Sequence, residues 1–173
     1  MYLICDFDGT LVKNDYFLEK LAMELIKAPV RTFFKFVFKG VLNTKIELLN
    51  SFEPKSLEYV LNKNVIALIE QTKENFDQTL LISASPDNFI KNVKKKLNLF
   101  DAAYGSTSVN LKSKKKLEFI IENNFTPFVY IGDSKDDEIL FKYSSYYYKM
   151  IGGIPVKVEN TTIHKTTQTQ ALD

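Results

Sequence analysis

The stretch Cys5-Asp6-Phe7-Asp8-Gly9-Thr10-Leu11-Val12 sets two carboxylates two residues apart, directly after the apolar run 2–5. Residues i and i+2 of an extended chain share a side, so Asp6 and Asp8 face the same way at a strand end. Two further apolar runs end in groups suited to phosphate. The run 79–82 leads into Ser83-Ala84-Ser85, and 128–131 leads into Gly132-Asp133-Ser134-Lys135-Asp136-Asp137. Lys116 stands at the start of the helical pattern before the latter run. Several carboxylates, a hydroxyl and an ammonium would then converge on one edge. Such a set can transfer a phosphoryl group by way of a carboxylate, which replaces one hard displacement by water with two easier ones. Asp6 is placed to be the nucleophile. Asp8 can protonate a leaving alcohol and later deprotonate the attacking water. Carboxylates so crowded repel one another and the phosphate, which calls for a hard divalent cation with oxygen ligands, Mg²⁺.

These groups must be held by strands and helices that alternate. Apolar runs at 2–5, 79–82, 102–104, 128–131 and 146–151 read as strands. Helical patterns lie between the last four: 86–97, with Ser85 as N-cap and Pro86 at the first helical position, and 116–122, with Leu117, Ile120 and Ile121 on one side. Strands alternating with helices predict a parallel sheet covered on both faces, a Rossmann-like three-layer α/β fold. In such sheets ligands bind beyond the carboxyl ends of the strands. The gap between the first two strands holds about seventy residues, too many for a single crossover helix. It is read as a small helical cap, 15–63, followed by a crossover helix over 64–76. The core then comprises 1–14 and 64–155, and 156–173 reads as a polar, Thr-rich, loose tail.

Bulk properties narrow the classes. The 173 residues suffice for one domain with an insert and a real core. The hydrophobic content of 45% and charged content of 25% are those of ordinary globular chains, and a net charge of +2 points to no particular partner. Cys5 is the sole cysteine, which excludes an internal disulfide, fits a reducing cytosol, and reads as a core strand residue. No secretory signal is evident, and no apolar run approaches the roughly 18 residues of a membrane span. The expected location is cytoplasmic, with membrane association through the cap. His164, the single histidine, is read as a surface residue of the tail.

The ordered set DFDGTL, a strand ending in Ser, a Lys, then GDSKDD resembles the four motifs of the haloacid dehalogenase-like superfamily, over residues 1–151. The resemblance implies Mg²⁺ held by Asp6, the backbone carbonyl of Asp8, Asp133 and Asp137. It further implies a phosphate-binding set of Ser83, Lys116, Gly9 and Thr10. Lys112 competes with Lys116 as the phosphate lysine, and Lys116 is preferred because it directly precedes the apolar helical pattern. Asp136 is read as a first-turn helix acid, and Asp137 matches the four-residue step from Asp133. Dehalogenating members lack the second acid of the first motif, so Asp8 favours a phosphatase.

Substrate choice should lie in the cap. Asp15 stands where phosphoserine phosphatases carry an acid for the substrate amine, and it is equally readable as a helix N-cap. That branch has Ser-Gly-Gly after the second strand, whereas Ser83-Ala84-Ser85 stands here, which argues against free phosphoserine. DFDGTLVKND, an apolar and basic cap, Asn110-Leu111-Lys112 and Tyr130-Ile131-Gly132-Asp133-Ser134 look more like the phosphatase-like domain joined to UbiA-type prenyltransferases. Ser113 stands where that group usually has glycine. In the segment 27–42, Lys27, Arg31, Lys35 and Lys39 form a basic stripe, and Val30, Phe34, Val37 and Val41 an apolar one. Two readings fit: a cap helix packed on its own domain, or a helix lying in a membrane interface. The expected substrate is a phosphomonoester with an apolar or lipid-linked portion, with a membrane prenyltransferase as candidate partner. The competing classes are a soluble small-metabolite phosphatase, a nucleotide or nucleic-acid end phosphatase, and a non-enzymatic accessory protein at the membrane surface. No nucleic-acid partner is expected at this charge.

Overall fold

The computed structural model describes residues 1–13, 26–30, 32, 43–44, 47 and 61–160. Most of the expected cap, including Asp15 and residues 33–42, lies outside the described residues, as does His164.

The first strand, β1 (Tyr2–Cys5), is at the centre of a six-stranded sheet. After it come α1 (Lys63–Thr72), a 3₁₀ turn at Lys73–Asn75, β2 (Gln78–Pro86), α2 (Asp87–Leu97), β3 (Ala102–Ser106) and α3 (Lys114–Glu122). The chain continues through β4 (Phe128–Gly132), a second 3₁₀ turn at Lys135–Asp137, α4 (Glu138–Tyr143), β5 (Tyr146–Ile151) and β6 (Ile154–Glu159). The sheet order is β3-β2-β1-β4-β5-β6. All pairings are parallel except β5 with β6.

Side-chain alternation along the inner strands divides the core in two. Leu3, Cys5, Leu81, Val129 and Ile131 face one layer, where Val65 and Ile69 of α1 and Phe89, Ile90 and Val93 of α2 cover them. Ile4, Leu80, Ile82, Phe128 and Tyr130 face the other, under Leu117 and Ile120 of α3 and Leu140 and Phe141 of α4. Strands buried on both faces explain why these runs read as continuously apolar rather than alternating. Each buried Leu or Ile contributes about 1.5–3 kcal/mol relative to leaving it exposed, so the centre of the sheet is its most resistant part. Cys5 belongs to this core.

Register then fixes the site. Cys5 pairs with Leu81 on β2 and Ile131 on β4, so the loops after β1 and β4 emerge side by side, against the continuing stretch of β2 that carries Ser83 and Ser85.

Three expectations change. Ser85 is not the N-cap of α2: β2 runs on through Pro86, which takes the cap position without a side-chain bond, and Ser85 turns to the site instead. The tail expected from Val156 begins inside β6. Gly152 and Gly153, at φ +57° and +80°, form a tight hairpin, and Pro155 is tolerated because β6 is an edge strand. The hairpin is tied to the head of α1, where the Asn62 and Asn64 side-chain amides donate to the Gly153 carbonyl at 3.0 and 3.2 Å. Helix α4 is the third addition, a six-residue element too short for periodicity to reveal.

Ser113 has φ +51° and ψ −123°, and the Lys115 amide donates to the Lys112 carbonyl at 3.1 Å. This is a type II′ turn with a non-glycine residue at its positive-φ position, directly before the helix that carries Lys116. Glycine adopts this conformation without the steric cost that a Cβ brings. Ser113→Gly is expected to stabilise the protein by about 1 kcal/mol, the relieved strain exceeding glycine's added chain entropy. Urea denaturation measures it; an unchanged or lower midpoint contradicts the strain.

Candidate active site

Asp6 follows β1 directly, and its Oδ1 accepts from the Lys116 ammonium at 2.8 Å. Lys116 is 3% exposed although it is the third residue of α3, because the helix carries it over the sheet end. Its Nζ also donates to the Tyr130 hydroxyl at 2.9 Å, and Tyr130 in turn donates to Asp137 Oδ1 at 2.8 Å. Asp137 Oδ2 accepts from the Ser134 amide at 3.1 Å and the Ser134 hydroxyl at 2.9 Å, a capping box that fixes the carboxylate. Lys116 Nζ lies 3.9 Å from Asp137 Oδ1. Tyr130 thus stands as a spacer, satisfying both charges while keeping the ammonium on Asp6.

Lys112 lies elsewhere: its side chain is 57% exposed and pairs with Asp136 at 2.9 Å. Of the two lysines considered, Lys116 is the one in contact with Asp6.

Ser83 is buried within the last stretch of β2, three residues before its end, and its Oγ accepts from the Ser85 amide at 3.0 Å. A hydroxyl has one proton to give, and this bond uses only an acceptor lone pair, so among the described residues the Ser83 proton is not committed to an acceptor. Ser85 donates its own hydroxyl to Asp8 Oδ2 at 2.8 Å.

Gly9 sits at φ +72°, and a Cβ there would come within 2.0 Å of Asp133 Oδ2. Glycine is required on both counts, and its smallness lets the loop after β1 close against the loop after β4. The Thr10 hydroxyl is buried with no partner among the described residues. Gly132 likewise leaves room for the Tyr130 ring and the Asp137 carboxylate, which a Cβ would meet at 2.5 and 2.8 Å.

Asp6, Asp133 and Asp137 each offer an oxygen within 4.8 Å of the others. Among the described residues, three carboxylates face one buried ammonium, an excess of two negative charges when all are ionised. The donor set is hard oxygen only, so the residues fit a dication such as Mg²⁺. The electrostatics show the same imbalance. Burial, with added repulsion from Asp137 and Asp8, raises the Asp6 carboxyl to about 7 despite the Lys116 ammonium. Burial and the Asp137 and Asp8 charges raise Asp133 to about 6. Burial alone would pull Lys116 down, but Asp6, Asp137 and Asp8 reverse this and hold it above its ordinary value. The Tyr130 hydroxyl is pushed well up, chiefly by burial, and so stays protonated.

Sequence reasoning brought Asp6, Asp8, Ser83, Lys116, Gly9, Asp133 and Asp137 to one sheet edge, and the structure gathers them there. It missed Tyr130 and Ser85 as members of the set. Tyr130 was legible only as a strand residue, although a tyrosine in a fully buried strand needs a partner for its hydroxyl, and that is the signal.

No known family profile matches the chain. Over 141 residues, 78% of the chain, it is 35% identical to the uncharacterized protein y4nM of Sinorhizobium fredii (strain NBRC 101917 / NGR234), of which it covers 27%. The chain therefore spans about a quarter of the length of the curated relative it matches. Among solved structures, it is similar to phosphoserine phosphatase in its apo form, at 20% identity and TM-score 0.55 over 86% of this chain and 84% of that one. A phosphoserine phosphohydrolase-like protein from Francisella tularensis subsp. tularensis SCHU S4 aligns at 16% identity and TM-score 0.60, over 88% of each chain. A HAD-superfamily hydrolase from Ehrlichia chaffeensis aligns at 19% identity and TM-score 0.51, over 86% and 85%.

The raised carboxyls make a pH prediction. Asp6 and Asp133 hold protons in the folded state that the unfolded chain has already released, so the native state binds more protons between about pH 4 and 7. Stability of the metal-free protein should fall as pH rises through that window, and Mg²⁺ should restore it at pH 8. Thermal melts in chelator at pH 5 and 8 check this; a flat or rising profile contradicts it. The six-stranded, mostly parallel sheet with helices on both faces has the Rossmann-like fold of the haloacid dehalogenase-like proteins.

Proposed function

We propose that the protein is a Mg²⁺-dependent phosphomonoester hydrolase working through an aspartyl phosphate on Asp6. The observation that carries the reading is the buried Lys116 ammonium 2.8 Å from Asp6 Oδ1, beside Asp133 and Asp137. Asp6 attacks phosphorus while the bond to the leaving oxygen breaks, and Asp8 delivers a proton to that oxygen. In the second half Asp8 takes a proton from water as the water attacks phosphorus, and the bond to Asp6 breaks. Lys116 offsets the charge that develops on the transferring group, and Ser83 donates to one of its oxygens. Mg²⁺, held by Asp6, the Asp8 carbonyl, Asp133 and Asp137, would neutralise and orient the phosphate against the carboxylates. A phospho-aspartyl intermediate analogue of phosphoserine phosphatase is among the solved structures of similar fold, which supports the same chemistry here.

For the substrate we propose a phosphomonoester with an apolar or lipid-linked portion. Ile26 and Val30 of the cap segment are 83% and 67% exposed, which supports an apolar surface available to such a portion or to a membrane. Among the described residues no helix is long and apolar enough to cross a membrane. In the Sinorhizobium relative the matched stretch is one part of a much longer protein. A small-metabolite phosphatase of the phosphoserine type is the second reading, supported by the phosphoserine phosphatase structures above.

The test is Mg²⁺-dependent phosphate release across phosphoserine, sugar phosphates, nucleotides, terminally phosphorylated oligonucleotides and prenyl-linked phosphates. Asp6→Asn should lower release by about 10³-fold or more. Preference for the prenyl-linked compounds supports the lipid reading. Efficient turnover of small soluble phosphates alone, with no flotation on liposomes, overturns it.

A further inference from the structure

The hydroxyl of Ser85 is fully buried, lies 2.8 Å from Asp8 Oδ2, and belongs to none of the groups assigned above to phosphate or metal. Its position is built by the surrounding backbone. Between Ile82 and Pro86 the register of β2 against β3 shifts, so that four steps along β2 match two along β3, from Tyr104 to Ser106. The surplus residues bulge at the strand end, the kind of irregularity that re-aims side chains next to active sites.

Neighbours hold the bulge from several sides. The Ser106 hydroxyl donates to the Ala84 carbonyl at 2.9 Å and accepts from the Leu111 amide at 2.9 Å. Gly105 allows the close approach, since a Cβ there would lie 2.5 Å from the Ser85 carbonyl oxygen. The Ser85 amide is spent on Ser83 Oγ, so residues 83 and 85 are locked to each other. A side chain so restrained presents its hydroxyl at one fixed place, and what it meets there is the second carboxylate of the first loop.

We infer that Ser85 is a positioning residue for the proton transfers of Asp8. It acts through Asp8 and does not touch the phosphate. Its bond fixes the rotation of the carboxylate plane relative to the phosphorus, and orientation is worth much in a group that must serve first as acid and then as base. The Ser-Gly-Gly pattern has no side-chain hydroxyl at the position of Ser85, so this means of holding the second acid is a property of the Ser83-Ala84-Ser85 sequence. The inference rests on the phosphatase reading.

The experiment separates orientation of Asp8 from general support of the site by varying the need for a proton. Phosphoenzyme formation is measured in single turnover, with Mg²⁺, for wild type, Ser85→Ala and Asp8→Asn. An alkyl phosphate, whose leaving group requires a proton, is compared with 2,4-dinitrophenyl phosphate, whose leaving group does not. Ser85→Ala should slow formation from the alkyl phosphate about tenfold, part of the 10²–10⁴-fold that such proton transfer contributes, while the dinitrophenyl ester stays within about twofold of wild type. Asp8→Asn should show the same selectivity with a larger loss. Equal losses on both substrates, or none on either, overturn the inference. If wild type forms no phosphoenzyme from any phosphomonoester, the phosphatase reading fails. Crystal structures of wild type and Ser85→Ala then decide the positioning separately, and an Asp8 carboxylate unchanged in the variant overturns it.

Discussion

The site depends on the ion pair between Lys116 and Asp6, buried where β1 gives way to its loop. Removing two charges from water is costly, and a buried pair persists only when its remaining hydrogen-bonding groups are also satisfied. Lys116 meets that condition through Tyr130, and Tyr130 passes the connection to Asp137, whose other oxygen is capped by Ser134. The chain of contacts ties β1, α3, β4 and the turn after β4 into one unit. No member can be moved without leaving a buried polar group short of a partner.

The sheet makes this possible by simple register. Cys5, Leu81 and Ile131 are aligned, so β1 and β4 release their loops beside the final residues of β2 at one edge. Close approach of those loops is then limited by volume, and glycines set the limit: Gly9 against Asp133, Gly132 against Asp137 and Tyr130, Gly105 against Ser85. Burial first, and then the mutual repulsion of the gathered carboxylates, raises the Asp6 and Asp133 carboxyls in the metal-free protein. A divalent cation would convert that repulsion into binding energy for metal and phosphate, the usual relation between a strained charge cluster and function.

Much of the fold was legible because parallel strands buried on both faces leave unmistakable apolar runs, and the expected runs sit in the two-sided core or pair directly with it. The carboxylates were legible because each follows such a run. Ser85 was misread because a serine before a proline and a helical pattern has the local signature of an N-cap, while its actual partner, Asp8, is 77 positions away. Tyr130 was hidden by its own apolar ring, since the strand reading used its bulk and not its hydroxyl. The β6 hairpin was available from Gly152-Gly153 between two alternating stretches, but the Thr-rich sequence beyond it suggested a tail. Asp15 and most of the stripes of 27–42 lie outside the described residues.

The central claim is that Asp6 accepts the phosphoryl group. Rapid quenching during turnover, borohydride reduction of the acyl phosphate and mass spectrometry of the N-terminal peptide address it directly. Asp6 should be recovered as homoserine, in amounts that rise with substrate and vanish without Mg²⁺. Steady phosphate release with Asp6 unmodified, or with the label on another residue, would contradict the account.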